Sequence, residues 1–269
     1  MDDIKKDEWF QDEDFWDRFA PIMFDEQRWA EVSTVADGIE ALYQHLAKVP
    51  EPVPAVDPIQ GSKRQGMAIL DQCCGLGRLS VELAIRGHRL TGIDITSSYL
   101  EAARESARDE EVAIEFIQSD VRDFVRPVSF DLVLNLYTSF GYFSDPMDDR
   151  QVLANAYHSL VPGGVYILET LGKEIAVRDF IEGEWFERAG AVVLTEYTPL
   201  DDWEYLYNRW ILLKNGERFE RSFKQRLYAA TELRKLFMEV GFSSVAVFGS
   251  WDMKPYDRYA QQLIVVGRR

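Results

Sequence analysis

Met67-Ala-Ile-Leu-Asp71-Gln-Cys73-Cys74-Gly75-Leu-Gly77-Arg78-Leu-Ser80, a helical span, then Leu90-Thr-Gly-Ile-Asp94: a short apolar run ends at an acid, breaks into a loop with two glycines, restarts as an amphipathic helix and returns as a second apolar run. The pattern reads strand, turn, helix, strand. Gly75 and Gly77 carry no Cβ, so a ligand can approach the backbone. The helix that follows directs its unpaired N–H groups and positive dipole end at the same place. Asp94 ends the second strand 17 residues after Gly77, where an acid can accept both hydroxyls of a ribose. The unit suits an adenosine-containing ligand.

A dinucleotide fingerprint requires a third glycine where Ser80 stands, and the carboxylate of Asp71 is awkward beside a pyrophosphate but suits a ligand carrying an ammonium group. On these residues the chain resembles class I S-adenosylmethionine-dependent methyltransferases, whose first motif reads roughly acid-x-Gly-x-Gly-x-Gly. Cys73 replaces the first glycine. The Leu160-x-Pro162-Gly163-Gly164 step is also frequent in that family and absent from dinucleotide fingerprints. The resemblance spans about residues 67 to 168. It implies S-adenosylmethionine as cofactor, S-adenosylhomocysteine as product, and a contact between Asp120 and the adenine amino group.

Composition sets the class. Hydrophobic residues make up 46% and charged residues 28% of 269, as in soluble globular proteins, and the formal charge of −16 opposes a nucleic-acid partner. No run approaches a membrane span, and Met1-Asp-Asp-Ile-Lys-Lys-Asp-Glu lacks a secretory pattern, so a cytoplasmic location is expected. Cys73 and Cys74, adjacent and the only cysteines, read as small buried loop residues, with a redox role as the alternative. With three scattered histidines, no metal site is expected.

From Met67 the chain alternates strand and helix, the signature of an α/β fold. The expectation is a Rossmann-like, seven-stranded, mainly parallel sheet with helices on both faces and an antiparallel last strand. Strands are expected at 113–117, 130–135 and 165–168, with Ser98-x-x-Glu101 as a capping box, Asp145-Pro146 starting a helix and Pro162-Gly163-Gly164 ending it. Between 189 and 228 the period becomes two, which predicts three inserted antiparallel strands at 192–197, 203–213 and 217–228. Asn215-Gly216 is the hairpin between the last two. Thr231 is expected to cap the last helix and Gly241 to stop it. The organisation is then 1–58, a helical lid and proline connector; 59–188, the cofactor-binding core; 189–228, the inserted sheet on the acceptor side; and 229–269, the closing helix and strands.

Ligands in open α/β sheets sit at the carboxyl ends of the strands. That places Asp71, Cys73, Gly75, Gly77, Asp94, Asp120 and Asn135 around one pocket, with Arg78, Ile95 and Val121 beside them as further cofactor contacts. Methyl transfer is an in-line displacement, in which a protein mainly orients donor and acceptor. Tyr137 and Tyr142, in the run after strand four, are candidates for orienting or deprotonating the acceptor. Trp16, Phe19, Tyr142 and Glu169 are candidates for binding it, Trp16, Phe19 and Met23 lying at helical spacing in an aromatic segment expected to close over the site. The run Asn135-Leu-Tyr-Thr differs from the Asn-Pro-Pro-Tyr of nucleic-acid amino-methyltransferases. The layout is more similar to bacterial small-molecule N-methyltransferases. The expected activity is transfer of a methyl group to N or O of a small-molecule acceptor, with homo-oligomerisation left open. A cofactor-binding sensor or assembly module without turnover, or a nucleotide-dependent oxidoreductase, are the alternatives.

Overall fold

The computed structural model describes residues 8–47 and 66–269. The connector expected at 49–58 lies outside these. After a 3-10 turn, Trp9–Gln11, come helices α1 (Glu13–Met23), α2 (Glu26–Ala30) and α3 (Val32–Ala47). The alternating unit follows as β1 (Ala68–Gln72), α4 (Arg78–Ile85), β2 (Arg89–Asp94), α5 (Ser97–Asp109), β3 (Ile114–Gln118), β4 (Phe130–Asn135), α6 (Pro146–Ser159) and β5 (Leu160–Thr170). Then come α7 (Lys173–Arg178), four strands β6 (Gly183–Arg188), β7 (Ala191–Leu200), β8 (Tyr205–Lys214) and β9 (Glu217–Arg226), helix α8 (Ala230–Val240), and β10 (Ser244–Phe248) and β11 (Leu263–Arg268).

The main sheet has seven strands in the order β10-β11-β5-β4-β1-β2-β3. β11 runs antiparallel to both neighbours and the pairings from β5 to β3 are parallel, as expected. Alternate residues divide the core between the two faces. Ile69, Leu132, Leu134, Ile167 and Val266 pack on Val35, Ile39 and Leu42 of α3. Leu70, Val133, Tyr166, Leu168 and Val265 pack toward α6, α8 and the aromatic segment. α3, though it precedes the first strand, therefore serves as one of the sheet's covering helices.

Several boundaries differ from the sequence expectation. β5 begins at Leu160, so Pro162-Gly163-Gly164 lies inside the strand, where the register against β4 shifts between Phe130 and Leu132. The cap of α5 is Thr96, and Ser98 Oγ instead donates to Asp17 Oδ1 at 2.6 Å. α8 starts before Thr231, and Glu232 Oε2 accepts the amide of Ala229 at 2.7 Å. The inserted sheet has four strands in the order β6-β7-β8-β9, one more than expected and starting at Gly183. Its edge strand β6 is charged and largely exposed, and carries no alternation to read. The Asn215-Gly216 turn forms as expected, with φ of 52° and 79°, both in the left-handed region that a two-residue hairpin needs.

α1 is capped by Asp12, whose carboxylate accepts from the amide of Phe15, with Glu13 and Asp14 in its first turn. It lies on the inner face of the inserted sheet. Trp9 stacks on Phe223 with centroids 4.0 Å apart, and Phe19 meets Trp210 and Phe219 at 5.4 and 6.1 Å. Arg221 pairs with Asp12, and Arg188 with Asp25. Phe15 and Phe19 are fully enclosed. The segment expected as a lid is thus also part of the core.

Candidate active site

At the carboxyl ends of β1, β2, β3, β4 and β5 a cavity of about 600 Å³ opens, bounded by the aromatic segment on one side and the inner face of the inserted sheet on the other. Its floor is the loop quoted at the outset. Cys73 has φ +55°, a left-handed conformation usually left to glycine, so it does the conformational work of the glycine it replaces. Gly75, also at φ +55°, gives its amide to Asp94 Oδ2 at 2.8 Å, while Asp94 Oδ1 accepts from Thr96 N at 2.9 Å. The carboxylate at the end of β2 thereby braces the glycine loop. Asp71 accepts from Ser80 Oγ at 2.6 Å. Burial raises its pKa to about 7, and burial likewise raises that of Asp94. Asp120 is paired with Arg122 at 2.6 Å.

Of the residues expected at the cofactor, Asp71, Cys73, Gly75, Arg78, Asp94, Ile95, Asp120 and Val121 line this cavity. Gly77 and Asn135 do not. Gly77 is required by packing: with φ +70°, a Cβ there would lie 2.8 Å from Ala103 Cβ and 3.0 Å from Phe116 Cζ. Asn135 is wholly enclosed, with neither side-chain atom hydrogen-bonded. Arg78 is nearly buried, donates to the carbonyl of Arg28, and lies over the rings of Phe24, Tyr137 and Trp29 at 5.0, 5.1 and 5.8 Å.

The acceptor candidates separate. Trp16, Tyr137, Tyr142 and Glu169 line the cavity; Phe19 does not, being taken up by packing on Trp210 and Phe219. The two tyrosines sit on different walls. Tyr137 packs with the α3 side of the core and Tyr142 between Trp9 and Trp16, with centroids at 4.7 and 6.5 Å. Burial raises Tyr137 to about 12 and also raises Tyr142, so both phenols keep their protons near neutral pH. They can orient an acceptor but are poor bases. Tyr137 and Thr138 have φ of 56° and 63°, and the Tyr137 amide donates to Glu169 Oε2 at 2.7 Å. Burial raises Glu169 to about 7, so it can exchange a proton near neutrality. No three His, Cys, Asp or Glu side chains converge as a metal site among the described residues. Cys73 and Cys74 are free, and burial pushes both thiols well up.

The sequence reading missed the far wall: Trp9, Glu184, Phe186, Thr195, Trp210 and Gln225 all line the cavity. The alternation of β7, β8 and β9 holds the signal, since every second residue faces inward. What it lacks is the partner of that face.

Comparison with known proteins accords with this geometry. Residues 69–164, which carry the strand ends and the glycine loop, match the family model described as a methyltransferase domain. Over those residues the chain carries a methyltransferase domain. Among relatives, a protein of Geobacillus sp. (strain WCH70) named as a putative methyltransferase is 34% identical over 110 residues, 41% of this chain and 43% of that relative, so the match spans less than half of it. Among solved structures, the fold is that of a methyltransferase from Clostridium acetobutylicum (TM-score 0.74, 15% identity, 94% of this chain and 98% of that one). It is also that of CalS10, an amino pentose methyltransferase from Micromonospora echinaspora solved with S-adenosylmethionine bound (TM-score 0.61, 19% identity, 91% and 98%). In the described residues no helix is long and apolar enough to cross a membrane.

Proposed function

We propose that this chain transfers a methyl group from S-adenosylmethionine to N or O of a small-molecule acceptor, with an amine-bearing acceptor such as an amino sugar favoured. The observation that carries the reading is the continuity of the cavity: it runs from the glycine loop and Asp94 to the inner face of the inserted sheet, and its volume of about 600 Å³ is that of a small-molecule site. In this reading Asp71 and the glycine loop hold the amino-acid end of the cofactor, Asp94 the ribose and Asp120 the adenine. Ile95 and Val121 supply apolar contact. The residues fit such a ligand, because Gly75 leaves a cradle that a Cβ would narrow to 3.3 Å from the Phe24 ring. When bound, the cofactor supplies an electrophilic methyl on a sulfonium.

The chain's own residues then do the remaining work. Trp9, Trp16, Tyr142 and Phe223 exclude water and present flat apolar surfaces to the acceptor. Glu31, Glu169 and Glu184 are carboxylates that line the cavity away from the glycine loop. They suit a cationic amine, and Glu169, which burial pushes up to about 7, can take its proton before transfer. The similarity in fold to an amino pentose methyltransferase supports the same acceptor class.

The test is incubation with methyl-labelled S-adenosylmethionine and separate pools of amino sugars, other small amines and phenols. Label should pass to an amine. Label passing only to phenols would remove the amine preference, and tight binding of S-adenosylhomocysteine without transfer to any pool would point to a sensor instead.

A further inference from the structure

One carboxylate stands outside the cavity yet touches the elements that build its acceptor wall. Asp149, in the first turn of α6, is completely enclosed. Its Oδ1 accepts the amide of Gly141 at 3.2 Å, and its Oδ2 accepts the hydroxyl of Tyr228 at 2.7 Å with Arg226 Nε 4.0 Å away. Gly141 belongs to the loop after β4; Arg226 ends β9, the last strand of the inserted sheet, and Tyr228 follows two residues later. The joint continues in the backbone, where Arg226 N donates to Gly141 O at 2.7 Å. It tolerates no side chain at position 141, where φ is +91° and a Cβ would lie 2.5 Å from Arg226 O. The Phe140 and Tyr228 rings pack across it with centroids 5.5 Å apart. Arg226 spends its other donors on Glu204 and Tyr205.

The loop carries Tyr142, one residue beyond the joint, into the cavity between Trp9 and Trp16. Its other end is held by Glu169, which accepts both the Tyr137 amide at its side chain and the Thr138 amide at its carbonyl, 3.3 Å away. None of these bonds reaches the glycine loop or Asp94. A buried carboxyl group is costly unless its oxygens are hydrogen-bonded, and here both are engaged, one by the backbone amide of the loop and one by the phenol at the base of the acceptor wall.

We infer that Asp149 is a positioning residue that locks the loop after β4 to the inserted sheet and so sets where the acceptor binds, without touching the donor. The inference rests on the methyl-transfer reading above. The test uses the full chain with Asp149→Asn, which keeps the shape and turns one accepting oxygen into a donor, and Tyr228→Phe, which removes one partner. Three quantities are read: S-adenosylhomocysteine affinity by calorimetry, amide exchange by segment, and KM and kcat for the acceptor found in the labelling screen.

In Asp149→Asn, exchange should quicken at least tenfold over 137–143 and 223–228 and stay unchanged over 71–77. S-adenosylhomocysteine affinity should stay within twofold, while acceptor KM rises at least fivefold and kcat moves less. Tyr228→Phe should shift the same quantities in the same direction by less. Unchanged exchange in both segments would overturn the inference, as would donor affinity falling in step with the acceptor. If the unaltered chain binds no S-adenosylhomocysteine, the methyl-transfer reading fails by itself, and the exchange pattern still decides whether Asp149 makes the joint.

Discussion

The two ends of the cavity are built in different ways. The donor end is local: Asp71, Cys73, Gly75 and Asp94 fall within one strand-turn-helix-strand unit, and the bonds from Gly75 to Asp94 and from Ser80 to Asp71 stay inside that unit. The acceptor end is assembled from segments far apart in sequence, with Trp9 on Phe223, Phe19 on Trp210 and Asp149 on Tyr228. Local geometry made of backbone and small residues can be recognised from a motif. A wall made by tertiary packing can be recognised only once both of its sides are known.

The contrast predicts that damage to the acceptor end unfolds the protein while damage to the donor end mainly unseats a ligand. The largest effect is expected for Phe19→Ala, which leaves a void between α1 and the inserted sheet and should cost about 3–5 kcal/mol of stability by denaturant unfolding. A loss under about 1 kcal/mol would show that α1 is only laid over the site. Removal of residues 1–27 should have a similar outcome for the same reason, reducing both stability and turnover.

Next in size, Asp94→Ala should weaken S-adenosylhomocysteine by about 1–3 kcal/mol in calorimetry, because it removes a charged acceptor and the brace of the Gly75 amide. Undiminished affinity would take Asp94 out of the donor site. Tyr142→Ala should then separate the ends cleanly: acceptor turnover falls about tenfold while donor affinity changes less than twofold, and equal losses in both would erase the distinction drawn here.

The smallest effect concerns pH. Asp71 protonates near pH 7 in the folded chain, against an ordinary value of 3.8. Between those values the folded state holds a proton that the unfolded state has released, so this acid's contribution to stability declines as pH rises from about 4 to about 7. Glu169 and Asp149 act in the same direction. Asp71→Asn should therefore make the fall of Tm between pH 5 and pH 8 shallower, and an unaltered slope would mean that Asp71 titrates normally.

What could be read from the sequence follows the same division. β4, the Asp145-Pro146 helix start and the Asn215-Gly216 hairpin were legible because each is dictated by residues adjacent in the chain. Gly77 was legible as a glycine position but not in its purpose, since Ala103 and Phe116, which require it, come from α5 and β3. Phe19 and Trp16 look alike at helical spacing, and only the inserted sheet determines that one is enclosed and the other faces the cavity. β6 was missed because its inward side chains, Glu184, Phe186 and Arg188, set two charges beside one ring and so carry no apolar alternation.

The embrace of α1 by the inserted sheet also has a consequence for the order in which the molecule is made. Trp9, Phe15 and Phe19 leave the ribosome early, whereas Trp210, Phe219 and Phe223, the surfaces that cover them, are synthesised only after the entire glycine-loop unit. Until those strands are made, the nascent chain carries an uncovered cluster of large aromatics, the kind of surface that chaperones hold and that aggregates when it is not held. Completion of the acceptor wall is thus a late event in biogenesis, and a chain stalled before β9 would hold a finished donor loop beside a sticky, unfinished half.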